Sequence, residues 1–168
     1  MNLRVRIDWS RKLIEFLDKF TFVNLENVRN EVPSSKGIYL WITHQDEIVY
    51  VGIALGKNGL RHRICNQHLN PEYLEFRESK HNSKDSFQLE HAVVKTRSNN
   101  QVKKGIDKSS FRKSIGRKLS IEPGVNTCKY ISRNLKLKVF AHQDVIFVKE
   151  LEKYLISSIQ PIFNTSHK

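Results

Sequence analysis

Two apolar segments separated by five polar residues constrain this chain most. Residues 37–42, Gly-Ile-Tyr-Leu-Trp-Ile, and 48–51, Ile-Val-Tyr-Val, are rich in β-branched and aromatic side chains. Such side chains suit a pleated, half-buried surface. The residues between them, Thr43 to Glu47, are short and polar, so the two segments should form an antiparallel hairpin. Leu13, Phe16, Leu17 and Phe20 share one helical face, which predicts a helix over about 9–20. A second helix is expected over about 59–69, with Leu60 and Ile64 inward. Phe87, Leu89, His91 and Val93 alternate, giving a third strand over 87–94. Leu-Lys-Leu-Lys-Val-Phe at 135–140 alternates cleanly and gives a fourth. A last helix runs over about 144–159 and is stopped by Pro161. With one helix in the basic stretch described below, the order is αββαβαβα. That order describes an α+β fold: a small, mostly antiparallel sheet of three to four strands flanked by helices. The 168 residues suit a single domain spanning 1–168, large enough to bury a real core.

Charge points to the partner. Lys and Arg number 29 against 17 Asp and Glu, a net +12. That balance favours a polyanion, DNA foremost and RNA also possible. A merely basic, ribosome-associated protein would show the same composition. No apolar run approaches the roughly 20 residues that span a bilayer, and residues 1–8 contain no apolar signal core. No membrane partner is therefore expected. Cys65 and Cys128 are far apart and outside any CxxC pattern, so they read as free thiols in a reducing, cytoplasmic setting.

The charge is concentrated. From Lys95 to Lys118 there are nine basic residues and one acid, Asp107. Phe111, Ile115 and Leu119 recur at helical spacing, which predicts a helix packed on one side. Its outer side is expected to carry Arg112, Lys113 and Arg117. With Arg61, Lys103 and Lys104, these are the expected nucleic-acid contacts.

The last helix carries the most telling single residue. Val148, Leu151, Leu155 and Ile159 form an apolar stripe. At about 100° per residue, Glu152 falls inside that stripe and Glu150 opposite it. A carboxylate facing a core is costly unless it is paired, hydrogen-bonded or metal-bound. Tyr39 and Tyr50 lie in neighbouring strands, where tyrosines most often pack. The segment Gly52 to Gly59 fits neither GxxxxGK[ST] nor GxGxxG. The seven histidines lack zinc spacing, and nothing pairs either cysteine with a base.

Together these pieces resemble the GIY-YIG nuclease family. Gly37-Ile38-Tyr39 matches its first motif, and Tyr50-Val51-Gly52 its second, with Val for Ile. The family then has a helix bearing a catalytic arginine, which places Arg63 there, with Arg61 the next choice. Many members carry His or Tyr four residues later; here that position is Gln67, and His68 follows it. A metal-binding glutamate and, twelve residues on, an asparagine complete the family's pattern, matched by Glu152 and Asn164 with Pro161 between. Residues about 97–134 resemble an insertion found in some stand-alone bacterial members.

The resemblance implies one-metal hydrolysis of a phosphodiester. Glu152 would hold one Mg²⁺ or Mn²⁺. Tyr39, helped by Tyr50, would accept the proton of the attacking water. Arg63 would stabilise charge in the transition state, and His68 and Asn164 would complete the site. A non-catalytic nucleic-acid-binding protein on the same fold is the alternative expectation.

Overall fold

The computed structural model describes residues 9–75, 92–95 and 102–164. Helix α1 (Trp9–Leu17) leads into strand β1 (Thr21–Val23) and a short helix α2 (Val28–Glu31). Strands β2 (Gly37–Thr43) and β3 (Ile48–Ala54) form the expected hairpin, closed by Asp46 at φ 65°. Next come α3 (Gly59–Arg61), which runs directly into a π-helix over His62–His68, and β4 (Leu74–Glu75). Strands β5 (Ala92–Lys95) and β6 (Val102–Asp107) follow. Helices α4 (Ser110–Leu119) and α5 (Val125–Asn134), strand β7 (Leu135–Ala141) and helix α6 (Val145–Ile159) complete the described fold. Among the described residues no helix is long and apolar enough to cross a membrane.

The fold is α+β. The main sheet is antiparallel with order β1-β7-β2-β3, so the hairpin and the late strand pair directly. Alternation along β2 feeds two cores. Ile38, Leu40 and Ile42 face Val148, Leu151 and Leu155 of α6, with α1 alongside. Tyr39 and Trp41 face Leu60, Ile64, Phe111, Ile115 and Ile131. The sheet is thus covered by helices on both faces.

Three expectations need correction. The strand expected over 87–94 lies largely outside the described residues; its described part, Ala92–Lys95, pairs with β6. That pairing belongs to a second sheet, β4-β6-β5, and not to the hairpin's sheet. The outer edge of β3 is already engaged: Phe163 N–H donates to the Val49 carbonyl at 2.9 Å, and the Asn164 amide brackets Val51. Leu119, expected inward, is 40% exposed at the end of α4.

The third correction is Arg112, expected on the outer face of α4 and in fact fully buried. Helix α4 buries Phe111, Arg112, Ser114, Ile115 and Gly116, a broader arc than one stripe. Arg112 Nη2 and Nε donate to Asp107 Oδ1 at 2.8 and 3.1 Å. Nη1 and Nη2 also donate to the carbonyls of Asn70, at 2.5 Å, and Tyr73, at 3.0 Å. Arg112 is an internal staple between α4 and the turn after the π-helix. Lys113 is half-buried and Arg117 exposed, while Lys103 and Lys104 lie on β6 opposite Val94 and Val93.

Candidate active site

The two motif glycines are required by close packing. Tyr39 is cross-strand from Gly52, and its ring lies over that residue. A Cβ at Gly52 would collide with the Tyr39 ring and hydroxyl and come within 2.8 Å of Tyr50 Cε1. A Cβ at Gly37 would meet the Phe140 carbonyl and Leu60 Cδ1. Gly52→Ala should cost about 1–3 kcal/mol by overpacking. Gly56→Ala, where a Cβ meets open space, should stay within about 0.5 kcal/mol. Equal denaturation midpoints for the two variants would refute this reading of Gly52.

The tyrosines converge with a histidine. Tyr39 Oη lies 2.6 Å from His68 Nε2, and both residues are fully buried. The Tyr39 and Tyr50 ring centroids are 6.2 Å apart, and each ring also contacts His68. Burial pushes the Tyr39 hydroxyl well above its ordinary value near 10. Tyr50 and Glu152 push the same way, and the Arg63 guanidinium, in polar contact with Tyr39, opposes them. Tyr50 is raised chiefly by burial, with Ser110 and Arg63 opposing. Both tyrosines are therefore neutral phenols at neutral pH.

The π-helix explains why His68 follows Arg63 by five residues. Leu69 N–H donates to the Ile64 carbonyl at 2.9 Å, an i→i+5 bond that adds one residue to the turn. In that turn the fifth residue takes the place that the fourth holds in an α-helix. Gln67, the fourth, instead accepts a hydrogen bond from Arg63 Nη1 at 2.7 Å. Arg63 is half-buried, and its Nε has no hydrogen-bond partner among the described residues. A cavity of about 330 Å³ lies beside it, lined by residues 53–59 with His62, Arg63 and Gln67. Arg61, by contrast, donates Nε–H to the Val32 carbonyl at 2.9 Å.

His68 is held neutral. Burial, then the positive charges of Arg63 and Arg112, depress it well below its ordinary 6.5. The unfolded chain takes up a proton as pH falls through that value, and the folded chain does not. The associated stability is present above pH 6.5 and declines below it, by up to about 1.4 kcal/mol per pH unit. From pH 7.5 to 5.5 the native chain should lose more denaturant resistance than His68→Gln. An equal loss in both would contradict a buried neutral imidazole.

Glu152 lies on α6, which packs chiefly on the edge strand β3, and it is half-buried where Glu150 is exposed. Its charge is felt at both tyrosines. Asn164 acts through the backbone: Oδ1 accepts from Val51 N–H and Nδ2 donates to the Val51 carbonyl, each at 2.8 Å. It pins the residue between Tyr50 and Gly52. A larger cavity, about 590 Å³, opens near Lys118, Lys153 and Ile162. Asn164 borders it, but Tyr39, Tyr50, Arg63 and His68 do not.

The sequence did not single out three further residues at this site. Ser109, the N-cap of α4, contacts His68 Nδ1 through its Oγ at 2.8 Å. Ser110 is in polar contact with Tyr50. Asp107 anchors both Ser109 and Arg112. A serine before an apolar helical period is an N-cap signal, and Asp107 is the lone acid of its basic run. Both signals announce local structure and neither announces a site. Compared with protein-family models, curated proteins and solved structures, the chain matches none.

Proposed function

We propose that this protein is a metal-dependent endonuclease acting on nucleic acid, with DNA the expected substrate. The carrying observation is convergence: buried Tyr39, Tyr50 and His68 meet the half-buried Arg63 within electrostatic reach of the Glu152 carboxylate, and Arg63 borders a cavity. The resemblance to GIY-YIG nucleases assigns roles to these same residues, and the excess of basic charge suits a polyanionic substrate.

The donors fit a hard cation. Among the described residues no group of three or more His, Cys, Asp or Glu comes together, and the resemblance assigns the ion to the single carboxylate of Glu152. Mg²⁺ characteristically binds through one or two carboxylates, waters and substrate phosphate. When bound, Mg²⁺ or Mn²⁺ supplies Lewis-acid stabilisation of phosphate oxygens. Arg63 binds and orients the phosphodiester and balances its developing charge. To accept the proton of the attacking water Tyr39 must first lose its own, a loss that Arg63 favours and burial opposes. Tyr50 packs beside it, and Asn164 holds the backbone between Tyr50 and Gly52.

Plasmid DNA incubated with Mg²⁺ should be nicked or linearised, and chelator should stop the reaction. Cleavage that persists in both Arg63→Ala and Glu152→Ala would sink this site assignment. Retained binding with no cleavage of any DNA or RNA would leave a non-catalytic nucleic-acid-binding protein.

A further inference from the structure

We propose that Ser109 is a positioning residue that sets the tautomer of His68, making the imidazole a hydrogen-bond donor to the Tyr39 oxygen. Its catalytic consequence rests on the nuclease reading; the tautomer itself does not.

A neutral imidazole has one N–H and one bare nitrogen. Here Nε2 faces Tyr39 Oη at 2.6 Å and Nδ1 faces Ser109 Oγ at 2.8 Å. Ser109 is 2% exposed, and its oxygen already accepts the Arg112 N–H at 3.2 Å as the cap of α4. A proton on Nδ1 would make that oxygen accept twice. The Ser109 hydroxyl hydrogen would then have no acceptor among the described residues, a buried donor left unmatched. With Nδ1 bare, Ser109 donates to it and accepts from Arg112, and the Tyr39 hydroxyl hydrogen turns to the Tyr50 oxygen, with which it is in polar contact. The imidazole proton then resides on Nε2 and points at Tyr39.

The hydroxyl is held in place from behind. Ser109 N–H donates to Asp107 Oδ1 at 2.9 Å, and Asp107 is gripped by the buried Arg112. Charged and titratable groups facing the pair are Arg63, Tyr50 and Glu152 at Tyr39, and Arg63 and Arg112 at His68. With Nε2–H donating, His68 does not compete for the Tyr39 proton. It joins Arg63 in stabilising negative charge on that oxygen.

Two-bond ¹H–¹⁵N correlation of the ¹⁵N-histidine-labelled full chain, without metal, reads the tautomer directly. His68→Gln identifies the signals. Wild type and Ser109→Thr should show Nε2 protonated and Nδ1 bare, and Ser109→Ala should lose that preference. A wild-type Nδ1–H, or an unchanged tautomer in Ser109→Ala, overturns the proposal. If Ser109→Ala does not fold, the wild-type tautomer alone decides. In plasmid cleavage Ser109→Ala should be about tenfold slower, the scale at which partners behind an active-site group act, with Ser109→Thr restoring the rate. Wild-type speed in a folded Ser109→Ala overturns the catalytic consequence. Absence of cleavage in wild type defeats the nuclease reading and leaves the tautomer result to decide Ser109's role.

Discussion

Arg112→Ala should lower folding stability by about 3–5 kcal/mol, because it leaves a buried carboxylate without its counter-charge. The side chains of Asp107 and Arg112 are both 0% exposed. Removing the guanidinium also strips donors from the Asn70 and Tyr73 carbonyls and from Cys128 Sγ, which Nη1 reaches at 3.1 Å. For a chain of this size the loss should lower the melting temperature by about 10 °C. A double-mutant cycle with Asp107→Asn isolates the pair, and a coupling of about 1–3 kcal/mol is expected. Had Arg112 lain on the surface against phosphate, its loss would weaken nucleic-acid binding and its salt dependence while sparing stability. An unchanged melting temperature in Arg112→Ala would therefore refute the internal-staple role. Arg117→Ala, at an exposed position of the same helix, is the matching control and should leave the fold within about 0.5 kcal/mol.

Arg63→Ala should reduce cleavage by about 10²–10³-fold, the scale for removing one preorganised donor from a developing charge. Arg63 is only half-buried, so the folded state should survive and the loss should appear in rate at unchanged melting temperature. Arg63→Lys should recover little, because a point charge cannot reproduce the planar fork that meets both Gln67 and Tyr39. Glu152→Ala should be equally damaging. Glu152→Asp should need more Mg²⁺ for half-maximal rate, since the carboxylate is drawn back along the helix. Full-rate cleavage in Arg63→Ala, measured on protein purified through two different matrices, would show that the activity belongs to another site or a contaminant.

Much of the scaffold was legible because it rests on local periodicity. The hairpin follows from β-branched and aromatic content around a short polar link, the strand expected at 135–140 from alternation and the helix expected at about 144–159 from a stripe, and each formed close to where the pattern placed it. Glu152 was legible for the same reason: helical geometry alone puts it on the inward side of α6. The basic helix was misjudged because one apolar stripe does not reveal how many neighbours will cover it. Covered by the sheet and α5, α4 drew Arg112 inside, where the Asp107 carboxylate and the Asn70 and Tyr73 carbonyls make burial tolerable.

By itself, the sequence determined the α+β class, the tyrosine hairpin and the inward glutamate, all of which depend on spacings of a few residues, while β1, β4, β6 and α5 went unread. The tertiary structure alone decided the rest. It supplied the extra residue of the π-helix that aligns His68 with Tyr39, the burial that keeps both tyrosines protonated, and the serine cap behind the imidazole. These depend on contacts between residues about 30 to 40 positions apart, such as 39 with 68 and 68 with 109. A hydrogen bond at that separation leaves no period in the chain to read. It forms because packing of the sheet against the helices brings the two groups together where no water competes for them.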